Sequence, residues 1–186
     1  VFNPLNSKSW FASSGGGGTN GRSVYILRTG GIYRTYDKGE EWTKIADYHD
    51  LGGEWNVIYK IEVNPSDTNM LYAVTRNGIY RTIDSHIENP SWIKVLEGFA
   101  FDLEFKPSNS NLLYATVFKE MNDTIWKIFK SNDQGSNWTP INNQPPHTLD
   151  NIVQQKQTIT IEMSKGKPDN LYCLVRDYDS VFVYYA

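Results

Sequence analysis

Hydrophobic and polar residues alternate along this chain in short runs. IEV (61–63), LYAVT (71–75), GIYRT (78–82), LEF (103–105), LLYAT (112–116) and KIFKS (127–131) are too short for helices. β-Branched and aromatic residues fill them, which predicts strands. The runs also recur in register. IEVNPSDTNMLYAVT (61–75) aligns with LEFKPSNSNLLYATV (103–117) and with IEMSKGKPDNLYCLV (161–175). Pro65 precedes Tyr72 by seven residues, Pro107 precedes Tyr114 by seven, and Pro4 precedes Phe11 by seven. In the last copy Lys165 takes the proline's place before Tyr172. A second block follows: GIYRTYDKGEEW (31–42), GIYRTIDSHIENPSW (78–92) and KIFKSNDQGSNW (127–138). Each block alternates, turns at an aspartate and ends at a tryptophan, after which another short run begins.

The repeating unit is therefore four short strands. Strand A is IEV or LEF, a turn rich in Pro, Ser, Asn and Asp follows, strand B is LYAV, strand C is IYRT, and strand D begins at the tryptophan. The compact period, Pro65 to Pro107, is 42 residues. Four strands in that span is the spacing of a β-propeller blade. The expected fold is all-β: a propeller of four-stranded antiparallel blades present as a partial wheel. Blades are expected over about residues 1–48, 57–97 and 99–142, with an incomplete one over 158–186. A wheel normally needs four to eight blades, and Val1 is neither a methionine nor part of a signal peptide. The chain is accordingly read as a processed or partial product of a longer propeller. A glycine-rich insertion, residues 12–31, separates strands B and C of the first unit, its GGGG run (15–18) expected to be flexible, and a second insertion, 142–157, precedes the last strand A.

Composition narrows the function. Net charge is −3 with no basic stripe, which argues against nucleic acid as a partner. Apolar runs are too short to insert in a membrane. Aromatics make up 14% of residues, as suits a strand-rich chain. Cys173 is the sole cysteine, so no disulfide forms within the chain.

The C–D turns carry a more specific signal. S-x-D-x-G-x-x-W is the Asp-box of sialidase-type (BNR) repeats, and Ser131, Asp133, Gly135 and Trp138 match each position. Thr35, Asp37, Gly39 and Trp42 match with threonine for serine, and Thr82, Asp84 and Trp92 form a degenerate copy. With the flanking blocks, the chain resembles sortilin-like and xyloglucanase-like propellers of exported proteins. A short aspartate accepts bonds from its own turn, glycine permits positive φ, and the tryptophan is expected to pack between the strands. These acids are thus read as structural.

Candidate chemistry was sought against that background. The resemblance to sialidases implies an arginine triad and an Arg-Ile-Pro signature, which the sequence lacks; Arg34 and Arg81 repeat at one strand C position. The resemblance to xyloglucanases implies paired aspartates, one in a loop like R-T-D-x-G-G-x-Y-R. Here RTGGIYR (28–34) has no such aspartate. Asp102, at the start of a strand A, is the weak catalytic candidate, expected to approach the central channel. Glu62, Glu104 and Glu162 share one strand A register and are expected to pair with Arg34, Arg81 and Lys130. His49 has Asp47, Asp50 and Glu54 nearby but no metal-ligand spacing, so no metal and no cofactor is expected. Trp10, Tyr25, Trp55 and Trp126 lie outside the repeated turn and are candidates for stacking on a ligand. The expected role is a secreted or cell-surface bacterial module that binds a glycan or protein, alongside the rest of its propeller or a larger assembly, without catalysis in this segment. The alternatives are a glycoside hydrolase similar to xyloglucanases with its acid pair partly outside this chain, and a structural component or substrate of an exported assembly.

Overall fold

The alternating runs become seventeen strands, with no helix among the described residues. The structure is a computed structural model that describes residues 1–14, 17–19, 24–26, 30–53, 57–119, 125–141, 158–176 and 181–185. The strands form four successive sheets and one small hairpin. The first sheet is β1 (Phe2–Asn3), β2 (Asn6–Ser14), β5 (Gly31–Thr35) and β6 (Thr43–Ala46), side by side in chain order. The second is β7 (Ile58–Val63), β8 (Leu71–Thr75), β9 (Gly78–Thr82) and β10 (Ile93–Glu97). The third is β11 (Phe99–Lys106), β12 (Asn109–Lys119), β13 (Ile125–Ser131) and β14 (Thr139–Pro140). The fourth has three strands: β15 (Thr158–Ser164), β16 (Lys167–Arg176) and β17 (Val181–Tyr185).

Register explains the repeat. In the second sheet Glu62 stands opposite Tyr72, and Tyr72 opposite Arg81. In the third, Glu104, Tyr114 and Lys130 form the same row. A tyrosine thus stands between the glutamate and the basic residue, two strand spacings apart. Glu62 pairs with Lys60 on its own strand, at 3.1 Å. Because neighbouring strands run antiparallel, the A–B and C–D turns lie at one end of each sheet, and the B–C and D–A connections leave from the other.

Packing divides the chain into two units, Val1–Lys94 and Val95–Ala186. In the first, Phe11, Ile32, Ile45 and Ala46 of the first sheet pack against Ile61, Val63, Leu71, Ala73 and Tyr80 of the second. In the second, Phe118 and Ile128 of the third sheet, with partly buried Tyr114, pack against Ile161, Met163, Leu171 and Cys173 of the fourth. Burial pushes the Cys173 thiol up to about 11, so it stays a neutral, small apolar group in that core.

The glycine-rich insertion contains a short hairpin. Gly17–Thr19 (β3) pairs with Val24–Ile26 (β4), Gly18 standing opposite Tyr25. Segment 142–157, with His147, lies outside the described residues.

Candidate functional site

The turns after strand C come first, because they hold most of the candidate acids. In the first sheet the Thr35 hydroxyl donates to Asp37 Oδ1 at 2.5 Å and accepts from the N–H groups of Asp37 (3.2 Å) and Gly39 (3.0 Å). Both Asp37 oxygens accept from Glu41 N–H at 3.0 Å. The third sheet repeats this around Ser131, whose hydroxyl donates to Asp133 Oδ1 at 2.8 Å and accepts from Gly135 N–H at 2.8 Å. Asp133 accepts from the backbone (2.8 Å) and side-chain (2.7 Å) N–H groups of Asn137. Trp42 and Trp138 each donate their indole N–H to the turn glycine's carbonyl, Gly39 or Gly135, at 3.0 Å.

Three features of these turns differ from what the sequence suggested. Positive φ occupies two successive residues, Lys38 (66°) with Gly39 (97°), and Gln134 (56°) with Gly135 (77°). The non-glycine member is held by a bond common to all three turns. Lys38 N–H donates to Lys8 O (3.0 Å), Ser85 N–H to Asn69 O (2.9 Å) and Gln134 N–H to Asn111 O (3.0 Å). Each C–D turn is thereby tied to the chain at or just before the start of strand B, even in the degenerate copy, where Thr82 Oγ1 accepts from Asp84 N–H (3.2 Å). The tryptophans differ in burial: Trp42 is 42% exposed, whereas Trp92 is partly buried against the core of the first unit. Trp92, with no glycine carbonyl to bond, reaches the first sheet and donates to Ile45 O at 3.1 Å.

These bonds fix the protonation of the turn acids. Donation from Glu41 N–H, then from Thr35, holds Asp37 below the usual carboxylate range. The Asn137 side chain, its backbone N–H and the Ser131 hydroxyl bring Asp133 down to about 2. A carboxylate ionised so far below neutrality cannot act as a general acid. Its folded value is lowered, so its stabilisation is complete above the ordinary carboxylate pKa and is lost as pH falls toward about 2. Urea midpoints are therefore expected to drop between about pH 5 and about pH 2, and Asp133→Asn to flatten part of that slope. An unchanged slope in the variant would refute the assignment.

Asp102 is buried in the third sheet. It does not face a channel: it is 3% exposed, opposite Thr116 in the β11–β12 ladder. Oδ1 accepts from Leu103 N–H at 2.9 Å, and Oδ2 accepts from Ile161 N–H of the next sheet at 2.8 Å. The Thr116 hydroxyl donates to Ile159 O at 2.9 Å. This cross-strand pair supplies one acceptor and one donor to alternate backbone groups of β15, much as a neighbouring strand would. A carboxylate so engaged has no lone pair aimed at solvent. Arg34 likewise serves the fold: Nη1 donates to Ser85 O and, at 3.1 Å, to Ile87 O of the next sheet's turn, not to a glutamate.

The aromatic candidates separate by position. Trp10 sits at the turn end of the first sheet, edge-on to Phe2 with centroids 5.3 Å apart, its indole N–H donating to Ser7 O at 3.0 Å. A Cβ placed on Gly39 would lie 3.3 Å from the Trp10 ring and 3.5 Å from Trp42. Tyr25 lies on β4, within the B–C excursion of the first sheet, and Trp126 on β13 opposite Phe118, next to the B–C connection of the third. Trp55 falls between β6 and β7 and outside the described residues. His49 is exposed, its N–H bonding Asp47 Oδ1 at 2.7 Å. Among the described residues no group of three or more His, Cys, Asp or Glu could hold a metal ion.

With this geometry in place, the chain can be set beside known proteins. It is 25% identical over 163 residues to a xyloglucanase of Paenibacillus, an alignment covering 74% of this chain and 16% of that protein. It is 27% identical over 113 residues to a xyloglucanase of Acetivibrio thermocellus, covering 56% and 12%. Among solved structures, an ancestral GH74 enzyme superposes with a TM-score of 0.63 at 18% identity, covering 92% of this chain and 23% of that one. The GH74 enzyme of Niastella koreensis gives 0.61 at 15%, covering 98% and 28%. The fold is a β-propeller. Its four sheets are antiparallel blades of a partial wheel, and the chain spans less than a third of the length of each of these four proteins. The chain matches no protein-family model.

Proposed function

We propose that this chain is a β-glucan-recognising stretch of an exported bacterial propeller similar to xyloglucanases, and that it binds polysaccharide without cleaving it. The similarity to two xyloglucanases, carried by the same blade fold, supports the ligand class. The commitment of Asp102 to backbone N–H groups supports the absence of catalysis from that position. The C–D turns are Asp-boxes in this reading, and their acids are fasteners. Sugar contact falls to the opposite end of each blade, from which the B–C and D–A connections leave, and to Tyr25 and Trp126 there. Flat aromatic faces suit the apolar face of a pyranose ring, while the polar rim fixes orientation.

Affinity electrophoresis through gels containing xyloglucan, cellulose derivatives or an unrelated α-glucan tests this. Retardation is expected with the β-glucans alone. Trp126→Ala and Tyr25→Ala are each expected to weaken binding about tenfold, the loss of one stacked ring. Trp42→Ala, at the other end of its blade, is expected to leave affinity unchanged. Loss of binding in Trp42→Ala with retention in Trp126→Ala would place the site at the wrong end.

A further inference from the structure

The second sheet carries an exposed aromatic and an exposed cation at the end from which its B–C turn leaves. β7 and β8 pair as Ile58 with Thr75 and Lys60 with Val74, so Tyr59 is an extra residue bulged out of the ladder. A bulge bends its strand and re-aims a side chain. The third sheet bulges at the equivalent place: Ala100 stands opposite Val117, Asp102 opposite Thr116, and Phe101 lies between. Phe101 packs against the core of the third and fourth sheets. Tyr59 takes the same position with a phenol and leaves 38% of its surface exposed.

Arg76 and Asn77 form the short B–C turn between β8 and β9. Arg76 N–H donates to Val57 O at 3.0 Å, which holds it beside the start of strand A. Asn77 Nδ2 donates to Gly52 O at 3.0 Å. That carbonyl belongs to the D–A connection, which buried Leu51 anchors in the core of the first unit. Gly52 lies so close to Tyr80 that a Cβ there would stand 2.3 Å from the phenol oxygen. The turn is therefore clamped on two sides and presents Arg76 from a fixed backbone. The guanidinium is exposed, and no acid among the described residues pairs with it. Its charge reaches Tyr59: burial raises the phenol's pKa, and Arg76 opposes that rise. The D–A connection brings acids to this end, but they serve its own backbone. Asp50 Oδ2 accepts from Asp47 N–H at 2.8 Å, and Asp47 Oδ1 from His49 N–H at 2.7 Å.

We propose that Tyr59 and Arg76 form a subsite for a carboxylate-bearing sugar, a uronate unit within the polysaccharide; this site rests on the glucan binding proposed above. The phenol ring stacks on the pyranose. The guanidinium takes the carboxylate through two parallel N–H···O bonds, for which a neutral glucose unit has no counterpart. The chain's net charge is −3, so an anionic glycan gains nothing from the overall field and is recognised locally.

Calorimetry with a xyloglucan oligosaccharide, and with the same oligosaccharide after oxidation of its primary alcohols to carboxylates, tests this. Wild type is expected to bind the carboxylated ligand about tenfold more tightly. Arg76→Gln is expected to bring the two ligands to equal affinity, and Tyr59→Ala to weaken both. Arg76 is exposed, so its variants are expected to keep the wild-type circular dichroism spectrum. Arg76→Lys, a point charge without the planar fork, is expected to keep only part of the preference. Equal affinities in wild type, or a preference that survives in Arg76→Gln, overturn the subsite and leave the glucan reading standing. Binding of the carboxylated ligand alone, lost in Arg76→Gln, upholds the subsite and overturns recognition of the neutral glucan. If neither ligand binds, both fail. Poly-glutamate bound as tightly as the carboxylated oligosaccharide would show a contact with charge alone and overturn the sugar subsite.

Discussion

Replacing Asp102 with alanine is expected to destabilise the second unit by about 3 kcal/mol, the larger share from the buried Ile161 N–H left without an acceptor. The carboxylate accepts from Leu103 and Ile161, and the second bond crosses from one blade to the next. Asp102→Asn keeps one acceptor oxygen and is expected to lose about half as much. Thr116→Val removes the donor to Ile159 O at nearly constant shape and is expected to lose about 1 kcal/mol. Urea denaturation followed by tryptophan fluorescence measures all three. The ordering Ala, then Asn, then the threonine variant follows from the bonds broken and from the amide NH2 that Asp102→Asn would turn toward a backbone N–H donor. A catalytic acid would behave otherwise: its amide variant would fold as well as wild type and lose only activity. A loss below about 1 kcal/mol in Asp102→Ala would remove the basis for calling it a fastener.

Gly31→Ala is expected to cost about as much for an unrelated reason. Gly31 opens strand C at φ +128°, and a Cβ there would stand 2.1 Å from the carbonyl oxygen of Ala46. That oxygen belongs to β6, held in the ladder by the pairing of Ile32 with Ala46, so it cannot retreat without opening the sheet. Strained backbone and steric overlap add, giving a loss of about 3 kcal/mol or more. Gly166 is the control: its φ is not positive and a Cβ would meet only Ser164 Oγ at 3.7 Å. Gly166→Ala is expected to change the melting temperature by no more than a degree or two, about 0.5 kcal/mol. Similar melting temperatures for the two variants would contradict the described approach of β5 to β6.

The repeat made the fold legible. Alternation has a period of two, so IEV, LYAVT and GIYRT announce strands, and the recurrence of Pro65–Tyr72 and Pro107–Tyr114 announces blades. What the sequence could not show are bonds to the backbone. The tie from Lys38, Ser85 and Gln134 to the carbonyls of Lys8, Asn69 and Asn111 uses groups every residue carries, so no side-chain pattern marks it. Register could have found it, because Lys8, Asn69 and Asn111 each stand two residues before the equivalent strand B positions Trp10, Leu71 and Leu113. Asp102 was misplaced in the same way. Its decisive partner is an N–H 59 residues later, and a lone acid in an apolar strand reads as chemistry until that partner is seen. Trp92 looked like Trp42, yet without a glycine in its turn the indole N–H found Ile45 O in the neighbouring blade. The ligand end of the blades is legible only as topology, since loops carry function on a scaffold that the repeat specifies.

Titrating the chain with xyloglucan oligosaccharide in a calorimeter, and assaying the same samples for new reducing ends, tests the proposed function most directly. The expected result is saturable heat with no release of reducing ends, unchanged in Trp42→Ala and weakened in Trp126→Ala. Heat indistinguishable from dilution, or reducing ends that accumulate with time and disappear in a folded Asp102→Asn variant, would contradict it.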